Sequence, residues 1–218
     1  MDDLTIGRTA TSHDAMTPER LAALVSARLC HDLISPLGAI GNGLELLQMS
    51  PGLRGIADSP EFLLMAESVA ASRARIRWFR TAFGHAAADQ RMSVAEIAAM
   101  LAEGDQGGRL RLRIDAQGDL PRSEAQLILL ALMCLETALP WGGSVLICRG
   151  AQGWRLLAEA ARTKPDPALW SWLDGAEVGS RPDPAPGEVH FVLLSRFAAS
   201  AARQITWELD DKGGEISF

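Results

Sequence analysis

The feature that most constrains the fold of this 218-residue chain is a helix-start signature that occurs twice in its first third. Thr17–Glu19 and Ser59–Glu61 each place a hydroxyl residue before a proline and an acid. The hydroxyl caps free N–H groups, proline suits the first turn, and the carboxylate faces the positive end of the helix dipole. Because Ser50–Gly52 breaks the first helix, the sequence predicts helices 18–49 and 60–84, joined as an antiparallel hairpin.

Both predicted helices carry an apolar seam with spacings of three and four residues. The first seam consists of Leu29, Leu33, Leu37, Ile40, Leu44 and Leu47, and the second of Phe62, Met65, Val69, Ser72, Ile76, Phe79 and Phe83. Two helices alone cannot bury such seams fully. A second copy of the chain would complete a dimeric four-helix bundle, so we expect a homodimer. The remainder of the chain could instead supply the cover.

The pattern changes after Ala86–Ala88. Predicted elements follow in this order: a helix capped by Ser93 and Glu96 to Leu101, strand 109–114, an apolar helix capped by Ser123 and Gln126 to Leu139, strands 144–148 and 154–160, a short helix 165–173, a loop 178–188, helix 191–202, and a hairpin of 204–210 and 215–218 turning at Lys212–Gly214. This order predicts an α/β sandwich with one mixed sheet under helices, and an α+β class for the whole chain. We place boundaries at a flexible tail 1–16, the helical hairpin 17–88 and the α/β part 89–218.

Composition excludes several classes. The net charge of −6 and a pI near 5.2 argue against a nucleic-acid partner. No stretch reaches the roughly 18 apolar residues that a membrane span needs. Cys30, Cys134 and Cys148 are odd in number and far apart, which matches neither a disulfide framework nor a zinc pattern. We therefore expect a protein of the reducing cytoplasm, with no membrane partner.

One histidine lies on the polar face of the first predicted helix. His31 precedes Asp32 and lies about 200° around the helix from both Leu29 and Leu33, off the seam. Its face is small and polar, and consists of Arg28, Ser35, Gly38, Asn42 and Glu45. An exposed imidazole beside a carboxylate can take up and release a phosphoryl group. We therefore predict that this stripe is a docking surface for another protein. Two structural alternatives are a surface histidine without chemistry and, for Gly38 and Gly41, close packing inside the bundle.

The hairpin is expected to bring arginines beside this stripe. A turn centred near residue 54 puts His31 level with Arg77, with Arg73 and Arg80 one turn away on either side. These guanidinium groups can steady a phosphoryl group or pair with acidic residues on a partner. The alternative is a solvated basic face.

The helical hairpin followed by this order of elements resembles the core of sensor histidine kinases. His31–Leu37 is close to the kinase H-box, which runs histidine, acid, two residues, a small polar residue, proline and leucine. The nucleotide site departs from that pattern. Met133–Ala138 lacks the two asparagines that hold magnesium and phosphates in kinases, Ala160–Lys164 lacks the Asp-x-Gly-x-Gly motif, and Gly187 alone remains of the glycine-rich turn. The resemblance thus implies an ATP-binding fold that has lost ATP binding.

A kinase-like chain with its histidine and without its nucleotide motifs resembles the ChpT-type histidine phosphotransferases of alphaproteobacteria. The resemblance covers about residues 17–218, and His31–Gly43 is its specific motif. It implies a cytoplasmic homodimer that accepts a phosphoryl group on His31 from the receiver domain of a hybrid histidine kinase and passes it to response regulators. His31 would be the nucleophile, and Asp32 would orient the imidazole or accept its proton. Partner-binding residues would be Arg28, Ser35, Gly38, Asn42, Arg73, Arg77 and Arg80.

The same resemblance implies no cofactor or metal of the chain's own, since the receiver domain would bring magnesium. Two other functions remain open at this point. The chain could be a non-catalytic dimeric scaffold that binds a receiver, or an ATP-dependent histidine kinase with an altered nucleotide site.

Overall fold

A computed structural model describes residues 18–49, 54–104, 109–150, 153–174 and 184–218. The helices are α1 Pro18–Met49, α2 Arg54–Ala57, α3 Pro60–Ala82, α4 Val94–Gly104, α5 Arg122–Ala138, α6 Pro167–Trp170 and α7 Val189–Ser200. The strands are β1 Arg91–Ser93, β2 Leu110–Asp115, β3 Asp119–Pro121, β4 Gly143–Gly150, β5 Gly153–Glu159, β6 Thr206–Leu209 and β7 Gly213–Ser217. Short 3₁₀ turns follow at Ser171–Asp174 and Pro186–Glu188. The predicted tail 1–16, Thr17 and most of the predicted loop 178–188 lie outside the described residues.

The helical hairpin is confirmed. Helix α1 packs against α3, and the Ser59 hydroxyl caps α3 by accepting a hydrogen bond from the Phe62 N–H at 3.3 Å. The connection contains one unpredicted element, α2. None of the helices within the described ranges combines the length and hydropathy needed to cross a membrane.

One face of the hairpin stays uncovered. Of the predicted seam on α1, Leu44 is buried and Leu37 half-buried, whereas Leu33, Ile40 and Leu47 are 51%, 52% and 40% exposed. On α3, Met65 is 52% exposed. Since the α/β part does not cover these side chains, the expectation that it might supply the missing cover is not met for them.

The α/β part is a five-stranded mixed sheet with helices packed on it. Its strand order is β2-β4-β5-β7-β6, in which β2 runs parallel to β4 and all other neighbours are antiparallel. Inward-facing residues such as Val145, Ile147, Leu156 and Ile216 are buried in one core with α5 and α7. The α+β fold class is therefore confirmed. The dimeric bundle and the division at residues 17–88 and 89–218 stay predictions.

Helix α3 enters this same core. Trp78 and Ala82, near its C-terminal end, are 1% and 0% exposed and belong to the cluster that also contains the apolar side chains of α5. Every residue of α5 from Ala125 to Leu135 is buried. The last turns of α3 are thus shared between the hairpin and the α/β part.

Two local predictions need correction, and one ribbon was missed. Ser123 and Gln126 do not cap α5, which starts after Pro121 without a side-chain cap bond, and Gln126 instead bonds to the end of α3. The two-stranded ribbon of β1 and β3 was not predicted, because strands of three residues show no periodicity. The terminal turn lies at residues 210–212, where the Asp210 carboxylate accepts from the Lys212 and Gly213 N–H groups. The Ser93–Glu96 capping box is confirmed by bonds of 2.7 and 3.1 Å.

The pairing of β5 with the chain end depends on a glycine. Gly153 has a φ of +135°, and a Cβ there would lie 2.1 Å from the Phe218 carbonyl oxygen. We expect Gly153→Ala to lower the free energy of unfolding by about 2–3 kcal/mol, since both the backbone angle and the contact forbid a side chain. Urea denaturation measures this.

The matched control is Gly55→Ala in α2, where a Cβ would meet no atom within 4 Å. It should change stability by less than about 1 kcal/mol. Equal losses of unfolding free energy in both variants would contradict the claim that the backbone at Gly153 forbids a side chain.

Candidate functional site

The predicted reactive pair lies within helix α1. The helix runs unbroken from Pro18 to Met49, so residues 31 and 32 have helical backbone. The side chains of His31 and Asp32, together with those of Arg28 and Ser35, lie outside the described part of the chain. What the structure establishes for these four residues is their position on α1.

The register of α1 separates three faces. Cys30 and Gly41, which are buried toward α3, lie about 100° and 80° from position 31 around the helix. The exposed apolar residues Leu33, Ile40 and Leu47 lie about 200°, 180° and 160° from it. Position 31 therefore lies neither on the face against α3 nor on the exposed apolar seam.

Three other members of the predicted stripe are described. Asn42 and Glu45 are exposed, and Gly38 is half-buried with space around it, since a Cβ there would meet no atom within 4 Å. Gly41 differs, because a Cβ would lie 2.7 Å from Arg73 Nη1 and 3.5 Å from Val69 Cγ1. Gly41 is thus a packing glycine inside the hairpin, whereas Gly38 borders open space.

The contact at Gly41 also fixes which residues of α3 are level with position 31. Gly41 lies opposite the stretch between Val69 and Arg73, and ten residues back along α1 correspond to ten residues forward along antiparallel α3. Position 31 is therefore level with Arg80 and Thr81. The sequence predicted that Arg77 would lie at this level. The difference arises because α2 adds a turn that moves the centre of the connection.

The three predicted arginines have different surroundings. Arg80 is exposed, and its charge acts to lower the pKa of Cys30, a thiol whose pKa burial raises. Arg77 forms an ion pair with Glu103 of α4, and Arg73 lies half-buried against Gly41. Arg80 is thus the arginine placed beside the level of His31, while Arg77 is already engaged within the chain. The partner-binding role of all three stays a prediction.

The segment where the sequence lacks the kinase asparagines is packed on α7. Thr137 donates its hydroxyl proton to the Met133 carbonyl at 3.0 Å and lies 3.2 Å from Nε2 of His190. Since the hydroxyl proton is used, Nε2 must donate to Thr137, and Nδ1 of His190 then has no partner among the described residues. His190 is 2% exposed. The structure gives His190 a packing role.

An ion pair borders the buried histidine. Arg75 of α3 lies 3.5 Å from Glu136 of α5 and stacks over the ring of Phe79 at 4.9 Å. Burial raises the pKa of Glu136, and the Arg75 and Arg109 charges oppose that rise. Burial is also the main cause that lowers the pKa of His190 to about 4, with the Arg75 charge second. These groups join α3, α5 and α7 at one polar spot in an apolar core.

Sequence reasoning missed the hydrogen bonds from Gln126 to the end of α3 and the buried environment of His190. Gln126 is 5% exposed in an otherwise apolar stretch of α5. A lone amide in such a stretch is the signal that could have indicated a buried hydrogen-bonding role.

Within the described ranges, no group of three or more His, Cys, Asp or Glu side chains could hold a metal ion. A surface cavity of about 720 Å³ lies at the end of β5 and β7, lined by residues that include Arg155, Arg203 and Phe218. None of its lining residues belongs to α1, α3 or α5.

Comparison with known proteins identifies the class of the α/β part. A family model described as the histidine phosphotransferase C-terminal domain matches residues 94–213, which is more than half of the chain. This chain belongs to that family.

Two particular relatives are similar to it. The protein phosphotransferase ChpT of Brucella abortus (strain 2308) is 34% identical over 129 residues, which is 58% of this chain and 59% of the Brucella protein. Less than two thirds of that relative is therefore matched. A solved bacterial phosphotransferase is 24% identical, with a TM-score of 0.65 over 92% of this chain and 96% of its own, which shows a shared fold.

The buried histidine predicts a pH dependence of stability. Between about pH 6.5 and 4 the unfolded chain protonates this imidazole and the folded chain does not, so the free energy of unfolding falls as pH falls. The loss from His190 reaches up to about 3 kcal/mol near pH 4. Urea denaturation of wild type and His190→Gln, whose amide can still donate to Thr137, measures the difference across this range.

Glu136 contributes the opposite slope, since its raised pKa makes protonation favourable in the folded state. The comparison therefore uses the difference between the two proteins at each pH, which cancels Glu136. An identical pH profile for wild type and variant would contradict the assignment to His190.

Proposed function

We propose that this chain is a histidine phosphotransferase of a multistep phosphorelay. It accepts a phosphoryl group on His31 from the aspartate of a receiver domain and passes it to response regulators. Membership of the family supports this activity, and the residues at 31–37 supply the histidine, acid and proline that the activity needs. We propose the reducing cytoplasm as its place, in keeping with three free cysteines.

The observation that carries the proposal is the position of residue 31 on α1. It lies away from the face packed on α3 and about opposite the exposed apolar seam of Leu33, Ile40 and Leu47. Burial of that seam against a second copy would leave the histidine face open to a partner. A homodimer and phosphotransfer are therefore compatible on one helix.

The transfer exchanges one phosphorus bond for another. A ring nitrogen of His31 forms a bond to phosphorus while the bond from phosphorus to the aspartyl oxygen breaks, and the carboxylate leaves with the electron pair. The proton on the other ring nitrogen is then lost to Asp32 or to water. Such transfer depends mainly on in-line positioning and charge neutralisation. In this proposal Arg80 supplies positive charge at this level, and the receiver brings magnesium.

The receiver would meet more than the hairpin. A domain of about 100 residues has a radius of gyration of roughly 13 Å, so one centred on His31 spans several helical turns. Position 31 is level with the last turn of α3. Strands β1 and β3 and the start of α5 lie beside this turn. We therefore propose a docking surface made of α1 and the adjoining edge of the α/β part.

Transfer from a phosphorylated receiver tests the activity. We expect radiolabel to move from purified receiver domains of the same genome to wild type and to His85→Gln, which changes an exposed histidine outside the stripe. His31→Gln should take no label, since it lacks the nucleophile. Electrophoresis of the quenched reactions measures the labelled protein.

The same assay separates the other two functions. Labelling of His31 by radiolabelled ATP alone would show an ATP-dependent kinase. Receivers that bind wild type and His31→Gln equally but label neither would show a non-catalytic scaffold. Either result would overturn the proposal.

Charged substitutions on and off the exposed seam of α1 test the proposed dimer. Ile40→Glu and Leu47→Glu place a charge on the exposed seam, so we expect each to shift the protein from dimer to monomer. Leu46→Glu is the matched control, because Leu46 is 67% exposed but lies about 100° from Leu47 around the helix. Light scattering coupled to size exclusion measures the mass. A monomeric wild type, or an equal effect of Leu46→Glu, would contradict the proposal that this seam forms the dimer interface.

A further inference from the structure

The C-terminal end of α3 is held by side chains from the first turns of α5. Gln126 Nε2 donates to the Ala82 carbonyl at 3.0 Å and to the Gly84 carbonyl at 2.8 Å. Arg122 Nη2 donates to the Arg80 carbonyl at 3.2 Å. The last carbonyls of a helix have no partner within the helix, so these bonds from a separate element satisfy them.

Burial makes the Gln126 bonds costly to lose. Gln126 is 5% exposed, Ala82 is 0% exposed, and Gly84 is buried as well. Both protons of one amide nitrogen are used on two carbonyls, so truncation would leave two buried acceptors without a donor. A Cβ at Gly84 would lie 2.2 Å from the Arg80 carbonyl oxygen, which shows how closely the chain turns here.

Arg122 adds a charge to the same junction. Its cation lies at the negative end of the α3 dipole, where a positive group is favourable. Burial lowers its pKa, and the Arg80 charge lowers it further. The packed site therefore holds Arg122 despite a like charge nearby.

The junction lies at the level of His31. Position 31 is level with Arg80 and Thr81, and the carbonyls held by α5 belong to residues 80, 82 and 84. A change in the angle between α3 and α5 would thus pivot the α/β part directly beside the proposed docking surface. Misplacement of reacting groups by about 1 Å can slow a transfer on the order of 100-fold.

We propose that Gln126 is a positioning residue for phosphoryl transfer. Its amide fixes the angle between the helical hairpin and the α/β part, so that a receiver in contact with both presents its aspartyl phosphate in line with His31. This inference rests on the proposed function. It assigns to the α/β part a role in aligning the partner, which the hairpin alone would not require.

The test compares a large and a small phosphoryl donor on the full chain. The large donor is the phosphorylated receiver domain that labels wild type fastest, and the small donor is phosphoramidate. For Gln126→Ala we expect the single-turnover rate from saturating receiver to fall by about tenfold or more. Labelling of His31 by phosphoramidate should stay within about twofold of wild type, since it requires no docking.

Ser171→Ala is the control, because the Ser171 hydroxyl donates to the Ala168 carbonyl within its own short helical turn and lies outside α1, α3, β1, β3 and α5. It should leave both rates unchanged. If Gln126→Ala does not fold, Arg122→Met removes the bond to the Arg80 carbonyl, the contact with the Met92 sulfur and the charge at the helix end, and it should show the same pattern with a smaller loss.

Three results would overturn the positioning role in Gln126→Ala, or in Arg122→Met where that variant is used. These are an unchanged receiver rate, an equal fall with both donors, and a fall in receiver affinity with no change in the saturated rate. Failure of the proposed function is distinguishable, because wild type would then accept no label from any receiver, whatever residue stands at position 126.

Discussion

The structure depends on one helix being shared by two packing units. Helix α3 pairs with α1 through residues such as Val69 and then buries Trp78 and Ala82 in the core of the α/β part. Burial of a large aromatic side chain contributes about 2–3 kcal/mol, so this overlap resists separation. Because the same helix serves both units, the orientation of the hairpin is set by the core that surrounds α5.

This sharing decides which side of α1 stays open. The contact at Gly41 fixes the register of α1 on α3, and that register puts position 31 level with the point where α3 enters the α/β core. The side of α1 toward α3 is used for packing, and Leu33, Ile40 and Leu47 form an apolar seam on a second side. The remaining polar side carries Asn42 and Gly38. Position 31 lies on the same side, between these residues and the N-terminal end of α1.

Local signals in the sequence predicted most elements, because caps and apolar periodicity act over a few residues. Ser59 and the Ser93–Glu96 box each form the bonds that their spacing indicates. Tertiary features escaped this reasoning. Gln126 has the spacing of a capping residue after Ser123, yet its amide reaches α3, more than 40 residues away in sequence. Likewise, α2 shifted the hairpin register, and no local pattern reports the length of a connection.

Buried polar groups add fixed hydrogen bonds to the contacts among α3, α5 and α7. Thr81, Gln126 and His190 are the buried polar residues within the described ranges, and they belong to the adjoining helices α3, α5 and α7. Gln126 bonds directly across the contact between α3 and α5, and the His190–Thr137 bond joins α7 to α5. Apolar surfaces permit small rotations at little cost, whereas buried hydrogen bonds fix one geometry because any alternative leaves donors or acceptors unpaired. Within the orientation that the apolar core sets, the Gln126 bonds thus fix the angle between α3 and α5, next to the level of His31.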